Sequence, residues 1–196
     1  MRRFVVIAHD VPPSPDFSLD DLPGSAGRLD VLCRCVADGL LTSHGVRSDA
    51  EVVVVVQDEL VIRFDGTSIR RLQPDERSTA ARFRDALGDS RDAIGEIAVE
   101  SSPGVTVRRG DLGTALAESP EPIIQLHEAG EPLPETSPTE SATYVLSDHR
   151  SFDSGDETTL SEFVDRRVSV GPVAIHANHA ISVVQNYLDT DGYETY

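Results

Sequence analysis

The sequence predicts an α/β protein, a mostly parallel sheet covered by helices, and three observations carry that expectation. Strand-like and helix-like segments alternate along the 196 residues, the pattern of layered α/β architectures. Glu51-Val52-Val53-Val54-Val55-Val56 is a continuous β-branched run, which suits a strand buried on both faces, as parallel strands are. Three strand-like segments of the second half each run into a polar or glycine-containing loop. Open α/β sheets hold ligands outside the carboxyl ends of their strands, so these loops are the expected pocket.

Taken in order, Phe4–Ala8 is the first strand, and Val11-Pro12-Pro13-Ser14-Pro15 can only be a loop, since proline fixes φ and removes a donor. A helix is expected from about Ala26 to Ser43, with Leu29, Leu32, Cys33, Val36 and Leu40 on one buried face and His44-Gly45 as its stop. After the valine run, Leu60–Phe64 and Ser68–Leu72 read as a hairpin turning at Asp65-Gly66. Ser78–Leu87 reads as a helix, Val105–Val107 as a short strand and Leu112–Ala117 as a helix. The three units of the second half follow. Ile123–Leu126 runs into His127-Glu128-Ala129-Gly130, and Ala142–Leu146 into Ser147-Asp148-His149-Arg150-Ser151-Phe152. Val168–Val170 runs into Gly171-Pro172 and a last helix to about Leu188, with Ala177, Ile181, Val184 and Leu188 on its buried stripe.

Length and a 39% apolar content fit one folded domain covering residues 1–196. No apolar run approaches the ~18 residues of a membrane span, and the start of the chain does not read as a secretory signal, so a cytoplasmic location is expected. Cys33 and Cys35 lie two apart in a helical pattern, where side chains diverge, and read as buried thiols. The net charge is -17, and all 17 basic residues are arginines. Acidity of that size ordinarily opposes nucleic-acid binding. The lysine-free pattern instead resembles proteins of multimolar salt, where at ~1 M the Debye length is about 3 Å and self-repulsion is screened. The acidity therefore reads as adaptation to solvent and leaves RNA open as a partner.

The sequence has no Gly-x-Gly-x-x-Gly after a strand, no phosphate-loop lysine motif and no nucleophile elbow. His176 and His179 share a helical face, yet no third ligand stands at a suitable spacing, so no metal is expected. Asp30 and Arg34, at i and i+4, suit an ordinary helix ion pair as well as a catalytic role.

The segments Leu126–Gly130, Val145–Phe152 and Val168–Pro172 resemble the three cofactor motifs of the SPOUT methyltransferases. With Gly27-Arg28-Leu29-Asp30-Val31-Leu32-Cys33-Arg34, the whole chain is similar to the archaeal tRNA (pseudouridine-N1)-methyltransferases, the TrmY group of that superfamily. The resemblance implies a C-terminal trefoil knot, with about residues 120–190 forming the knotted portion that binds S-adenosylmethionine. It also implies a homodimer and methylation of pseudouridine 54 in the T loop of tRNA. It assigns donor contacts to Leu126, Ser147, Val170, Gly171, Val173, Ile175 and His179. Asp30, Asp148 and Arg28 become candidates for catalysis, and Arg28, Arg34, Arg70 and Arg71 for RNA contact. Relatives commonly carry glycine where this chain has Ser147. Other readings are a different SPOUT-type enzyme, acting on a ribose 2′-hydroxyl or guanine N1, and a catalytically silent RNA-binding module.

Overall fold

The computed structural model describes residues 1–93, 97–139 and 141–196. In chain order its elements begin with β1 (Arg2–Ala8), α1 (Leu22–Ser25), α2 (Leu29–Leu40), β2 (Leu41–Thr42), β3 (Gly45–Val46), β4 (Ala50–Val56) and β5 (Leu60–Asp65). Next come α3 (Glu76–Asp89), β6 (Val99–Ser102), β7 (Val105–Arg109), α4 (Leu112–Ala117) and β8 (Ile123–Pro132). The chain finishes with β9 (Ala142–Ser147), α5 (Ser154–Phe163), β10 (Arg166–Ser169) and α6 (Ala177–Asp189).

The main sheet runs β10-β8-β9-β1-β4-β5-β7-β6. Its first five strands are parallel, and β5, β7 and β6 continue it antiparallel. The expected α/β architecture is thus present. Alternate residues of β1 and β4 feed two cores. Phe4, Val6, Val52 and Val54 pack with Leu29, Leu32, Val36, Ile181 and Val184 of α2 and α6 on one face. Val5, Ile7, Val53 and Val55 pack with Leu112, Leu116 and Leu160 of α4 and α5 on the other. Burial on both faces is why β4 reads as unbroken valine. Among the described residues no helix is long and apolar enough to cross a membrane.

Several boundaries differ from the sequence expectation, each for a local reason. The helix expected from Ala26 begins at Leu29, because Gly27 (φ 56°) and Arg28 (φ 65°) are left-handed. At Gly27 a Cβ would stand 2.0 Å from the Asp10 carbonyl oxygen, so only glycine lets this turn meet the end of β1. The helix stops at Leu40, and β2 and β3 form a small antiparallel ladder instead of a further turn. The hairpin expected at Asp65-Gly66 is overturned: β5 pairs with β4, turning at Gln57 and Asp58, both at positive φ. Ser68–Leu72 is not a strand. The Asp65 carboxylate accepts from the Thr67 N–H (2.9 Å) and the Ser68 hydroxyl (2.8 Å) and curls the chain away, leaving that edge of β5 to β7. The strand expected at Ile123–Leu126 runs on to Pro132, so His127–Gly130 is strand and not loop, because Glu131 and Pro132 pair with Val168 and Ser169 beyond an irregularity in the ladder. The strand expected at Val168–Val170 is shifted to Arg166–Ser169, and α6 starts only at Ala177.

Candidate functional site

β8, β9, β1 and β4 run parallel, so their carboxyl ends and the loops beyond them gather at one end of the sheet. There a cavity of about 240 Å³ opens between the middle of β8, the end of β9, the 170–175 loop and the start of α6. Leu126, Ser147, Val170, Gly171, Val173 and Ile175 all line it, so six of the seven expected donor residues meet in one place. His179 does not. Ala177 and Ala180 face the cavity, and helical phase turns His179 outward, exposed, with its ring 5.8 Å from that of His176. Sequence reasoning missed further parts of the wall. His127 and Phe152 stack, centroids 6.4 Å apart, and Glu157 of α5 adds a carboxylate. Glu157 is held by Gln125 Nε2 (2.9 Å) and by Arg167. Two apolar side chains of the loop, Val173 and Ile175, are 71% and 43% exposed.

Asp148, also on the wall, is buried. Its Oδ2 accepts the His9 N–H at 2.9 Å, and its Oδ1 accepts the Arg150 N–H at 2.9 Å and lies 3.3 Å from His9 Nδ1. Burial alone would raise its proton affinity. The His9 ring and the two N–H donors outweigh that and hold the carboxyl below the usual range. His9, which follows β1, also places Nε2 2.8 Å from Asp156 Oδ2. The bond to Asp148 raises the imidazole against the opposing effect of burial, Asp156 adds to it, and the pKa reaches about 9. At neutral pH both ring nitrogens therefore carry protons. One potential ligand atom from each of His9, Asp153 and Asp156 lies within 4.8 Å of the others.

The α2 candidates form a second cluster near the same end of the sheet. Buried Asp30 accepts from Arg28 Nε (3.0 Å) and Nη2 (3.1 Å) and from Arg34 Nη2 (2.9 Å). Burial would raise its pKa, but the two guanidiniums lower it. Arg34 also reaches Glu76 at 2.7 Å. The i,i+4 ion pair read from the sequence is therefore present. Arg70 and Arg71 are elsewhere. They follow a turn bound to the amino-terminal start of β4 through Gly66 N–H to Ala50 O (3.1 Å) and Thr67 Oγ1 to Ser48 O (3.1 Å). Arg82 donates to both their carbonyl oxygens. Cys33 and Cys35 are buried free thiols, pushed up by desolvation.

Residues 1–193 match a family described as "Putative SAM-dependent RNA methyltransferase". A tRNA (pseudouridine(54)-N(1))-methyltransferase of Haloferax volcanii is 50% identical over the whole of both chains, and one of Natronomonas pharaonis is 52% identical over the same extent. A protein of that name from Methanococcoides burtonii is 42% identical, with 96% of each chain covered. Among solved structures, Archaeoglobus fulgidus Nep1 bound to S-adenosylhomocysteine shares the fold, with a TM-score of 0.63, 14% identity and coverage of 96% and 97% of the two chains. The chain belongs to the SAM-dependent RNA methyltransferase family that includes the tRNA (pseudouridine(54)-N(1))-methyltransferases.

Proposed function

We propose that this protein transfers a methyl group from S-adenosylmethionine to N1 of pseudouridine 54 in the T loop of tRNA. The observation that carries the reading is the gathering of six expected donor residues around one cavity, in a chain whose full-length relatives bear that activity in their names.

The cavity's chemistry fits the donor. Leu126, Val170, Val173 and Ile175 offer apolar surface to an adenine ring, while Glu157 and Asp148 offer negative charge to a molecule carrying a sulfonium and an ammonium. A Cβ built at Gly171 meets nothing within 4 Å, so the backbone there is open to close approach. When bound, S-adenosylmethionine supplies a methyl carbon already activated by the adjacent positive sulfur. The protein's share is alignment, removal of the N1 proton and compensation of charge on the uracil carbonyls. In this reading Arg28 faces the developing negative charge, and Asp30 or Asp148 takes the proton and passes it to water. Both carboxyls are held ionised, so either holds a proton only in passage.

The same proposal includes the knot, the homodimer and a cytoplasmic site of action. The 133–139 segment lies against α6: Tyr187 Oη donates to the Thr136 carbonyl at 2.8 Å, and Gly192 sits beside Pro138. That contact supports a C-terminal helix threaded beneath a preceding loop. The exposed Val173 and Ile175 support a second subunit closing over the cavity edge. Arg28, Arg34, Arg70 and Arg71 are proposed for RNA contact, where guanidinium forks bind phosphate after salt has screened long-range attraction.

The test is methyl transfer from labelled donor, in high potassium chloride, to tRNA transcripts bearing uridine or pseudouridine at position 54, with the product mapped by mass spectrometry. Methylation is expected at N1 of pseudouridine alone; equal methylation of the uridine transcript would defeat the reading. Gly171→Trp is expected to abolish donor binding in calorimetry while the protein stays folded, because the added side chain meets no protein atom near its Cβ. Unchanged affinity would remove Gly171 from the donor site.

A further inference from the structure

We propose that His9 is a positioning residue of the donor cavity: its ring ties Asp148, on the cavity wall, to Asp156 at the start of α5, and so holds the 147–152 loop in its donor-binding shape. The proposal rests on the donor reading of the cavity and assigns a role to a residue that does not itself line it.

Both flanks of one short loop meet at this ring, which comes from a segment 139 or more residues away. His9 follows β1, Asp148 follows β9 and Asp156 lies in the first turn of α5. Nδ1 stands 3.3 Å from Asp148 Oδ1 and 3.5 Å from Ser147 Oγ, and Nε2 stands 2.8 Å from Asp156 Oδ2. The His9 backbone N–H adds a bond to Asp148 Oδ2 at 2.9 Å. Each carboxylate is also committed to the loop between them: Asp148 Oδ1 accepts the Arg150 N–H, and Asp156 Oδ2 accepts the Asp153 N–H, closing a capping box with Asp153. The loop carrying Ser151 and Phe152 of the cavity wall is thus pinned at both ends by carboxylates that share one ring.

Such a link is strongest when the ring donates from both nitrogens, which needs the imidazolium. The charges around it keep it so. Asp148, Asp156 and Asp153 face it from β9 and α5. Farther out, His149 lies 3.6 Å from Asp148 and 3.2 Å from Asp10, Arg150 pairs with Asp10, and Arg28 is felt by Asp148 from α2. Since the folded ring holds its proton up to about pH 9, against 6.5 for a free histidine, the stability the link contributes is fully present below 6.5 and is lost as pH rises to about 9, where the ring itself gives up its charge.

The experiment is calorimetry of S-adenosylhomocysteine binding to the wild type and to His9→Gln between pH 6 and 10. Gln is expected to bind about tenfold more weakly at pH 7, the effect of losing a charge-assisted hydrogen bond. The wild-type affinity should fall toward the variant's between pH 8 and 10, so the ratio of the two approaches one; any titration of the ligand's own amine is common to both. His9→Lys, which keeps a cation in place, should recover part of the loss at pH 7. A folded Gln variant with wild-type affinity, or a ratio constant across the range, overturns the role. Should the variants not fold, NMR titration of the wild-type His9 ring decides: a midpoint near 9 supports the link, and one near 6.5 overturns it. A wild type that does not bind S-adenosylhomocysteine, with its His9 midpoint near 9, overturns the donor reading instead.

Discussion

Asp30 and Asp148 are both buried, both held below the usual carboxylate range, and both near the carboxyl ends of the parallel strands, yet their surroundings differ in kind. Asp30 is neutralised by Arg28 and Arg34, which never lose their charge and whose side chains are 39% and 35% exposed. Asp148 is neutralised by His9, whose side chain is only 13% exposed and whose charge depends on pH. One carboxylate is thus anchored by permanent cations at the protein's surface, and the other by a titratable group inside it. The difference teaches that equal burial and an equal direction of pKa shift do not mean an equal response to conditions.

The largest effect is expected from Asp148→Asn. Removing one partner of a buried charged pair leaves the other uncompensated, at a cost of roughly 3–5 kcal/mol. His9 keeps Asp156, so the lower end of that range is expected in denaturant unfolding, together with at least about a tenfold loss of donor affinity. Asp30→Asn breaks the comparison from the other side. Its arginine partners are wetted when released, so a stability loss of only about 1–2 kcal/mol is expected, with donor affinity unchanged. If Asp30 takes the N1 proton, single-turnover methyl transfer falls with it; an unchanged rate would clear it of that duty.

The two sites should also separate along the pH axis. Both aspartates bind protons less readily when folded, so each contributes stability above about pH 3.8 that is lost as pH falls below it. At the alkaline end only Asp148 should weaken, because His9 gives up its proton near 9 while the arginines keep theirs. The stability gap between wild type and Asp148→Asn should therefore shrink as pH rises from about 6.5 to about 9, while the gap to Asp30→Asn stays constant. Parallel curves for the two variants would erase the distinction.

Much of this was legible in the sequence where a pattern is local. The valine run named β4 and its burial, and the strand-to-loop transitions expected after Leu146 and Val170 located two sides of the cavity wall; Leu126 was placed on the wall although β8 continues through it to Pro132. What was not legible depended on partners distant in the chain. His9 lies 139 residues from Asp148 and 147 from Asp156, and nothing near it in the sequence distinguishes it from an exposed histidine. Helix α5 escaped notice because Leu160 is its one buried side chain, too little for an apolar stripe. Its signal was at its start, where Asp153 and Asp156 stand in capping-box spacing. The hairpin was misplaced for a related reason: Asp65-Gly66 has turn composition, whereas the true turn uses Gln57 and Asp58, both at positive φ, a conformation that Gln57 does not advertise.

Ser147 supplies the finest test of the comparison, because it separates the backbone of the Asp148 wall from its side chains. It closes β9 in register with Ile7 of β1, so its backbone is ordinary extended strand and has no need of glycine. Its hydroxyl lies 3.5 Å from His9 Nδ1, at the limit of a hydrogen bond and far weaker than the ring's links to the two carboxylates. Ser147→Gly therefore removes little from the His9 network and leaves the main-chain groups facing the cavity in place. Donor affinity is expected to change by less than about threefold, with a stability loss of about 0.5–1 kcal/mol from glycine in a strand. An affinity gain of tenfold in calorimetry would show that the serine side chain crowds the donor. A loss of that size would move part of the positioning role from the carboxylate of Asp148 to the hydroxyl beside it.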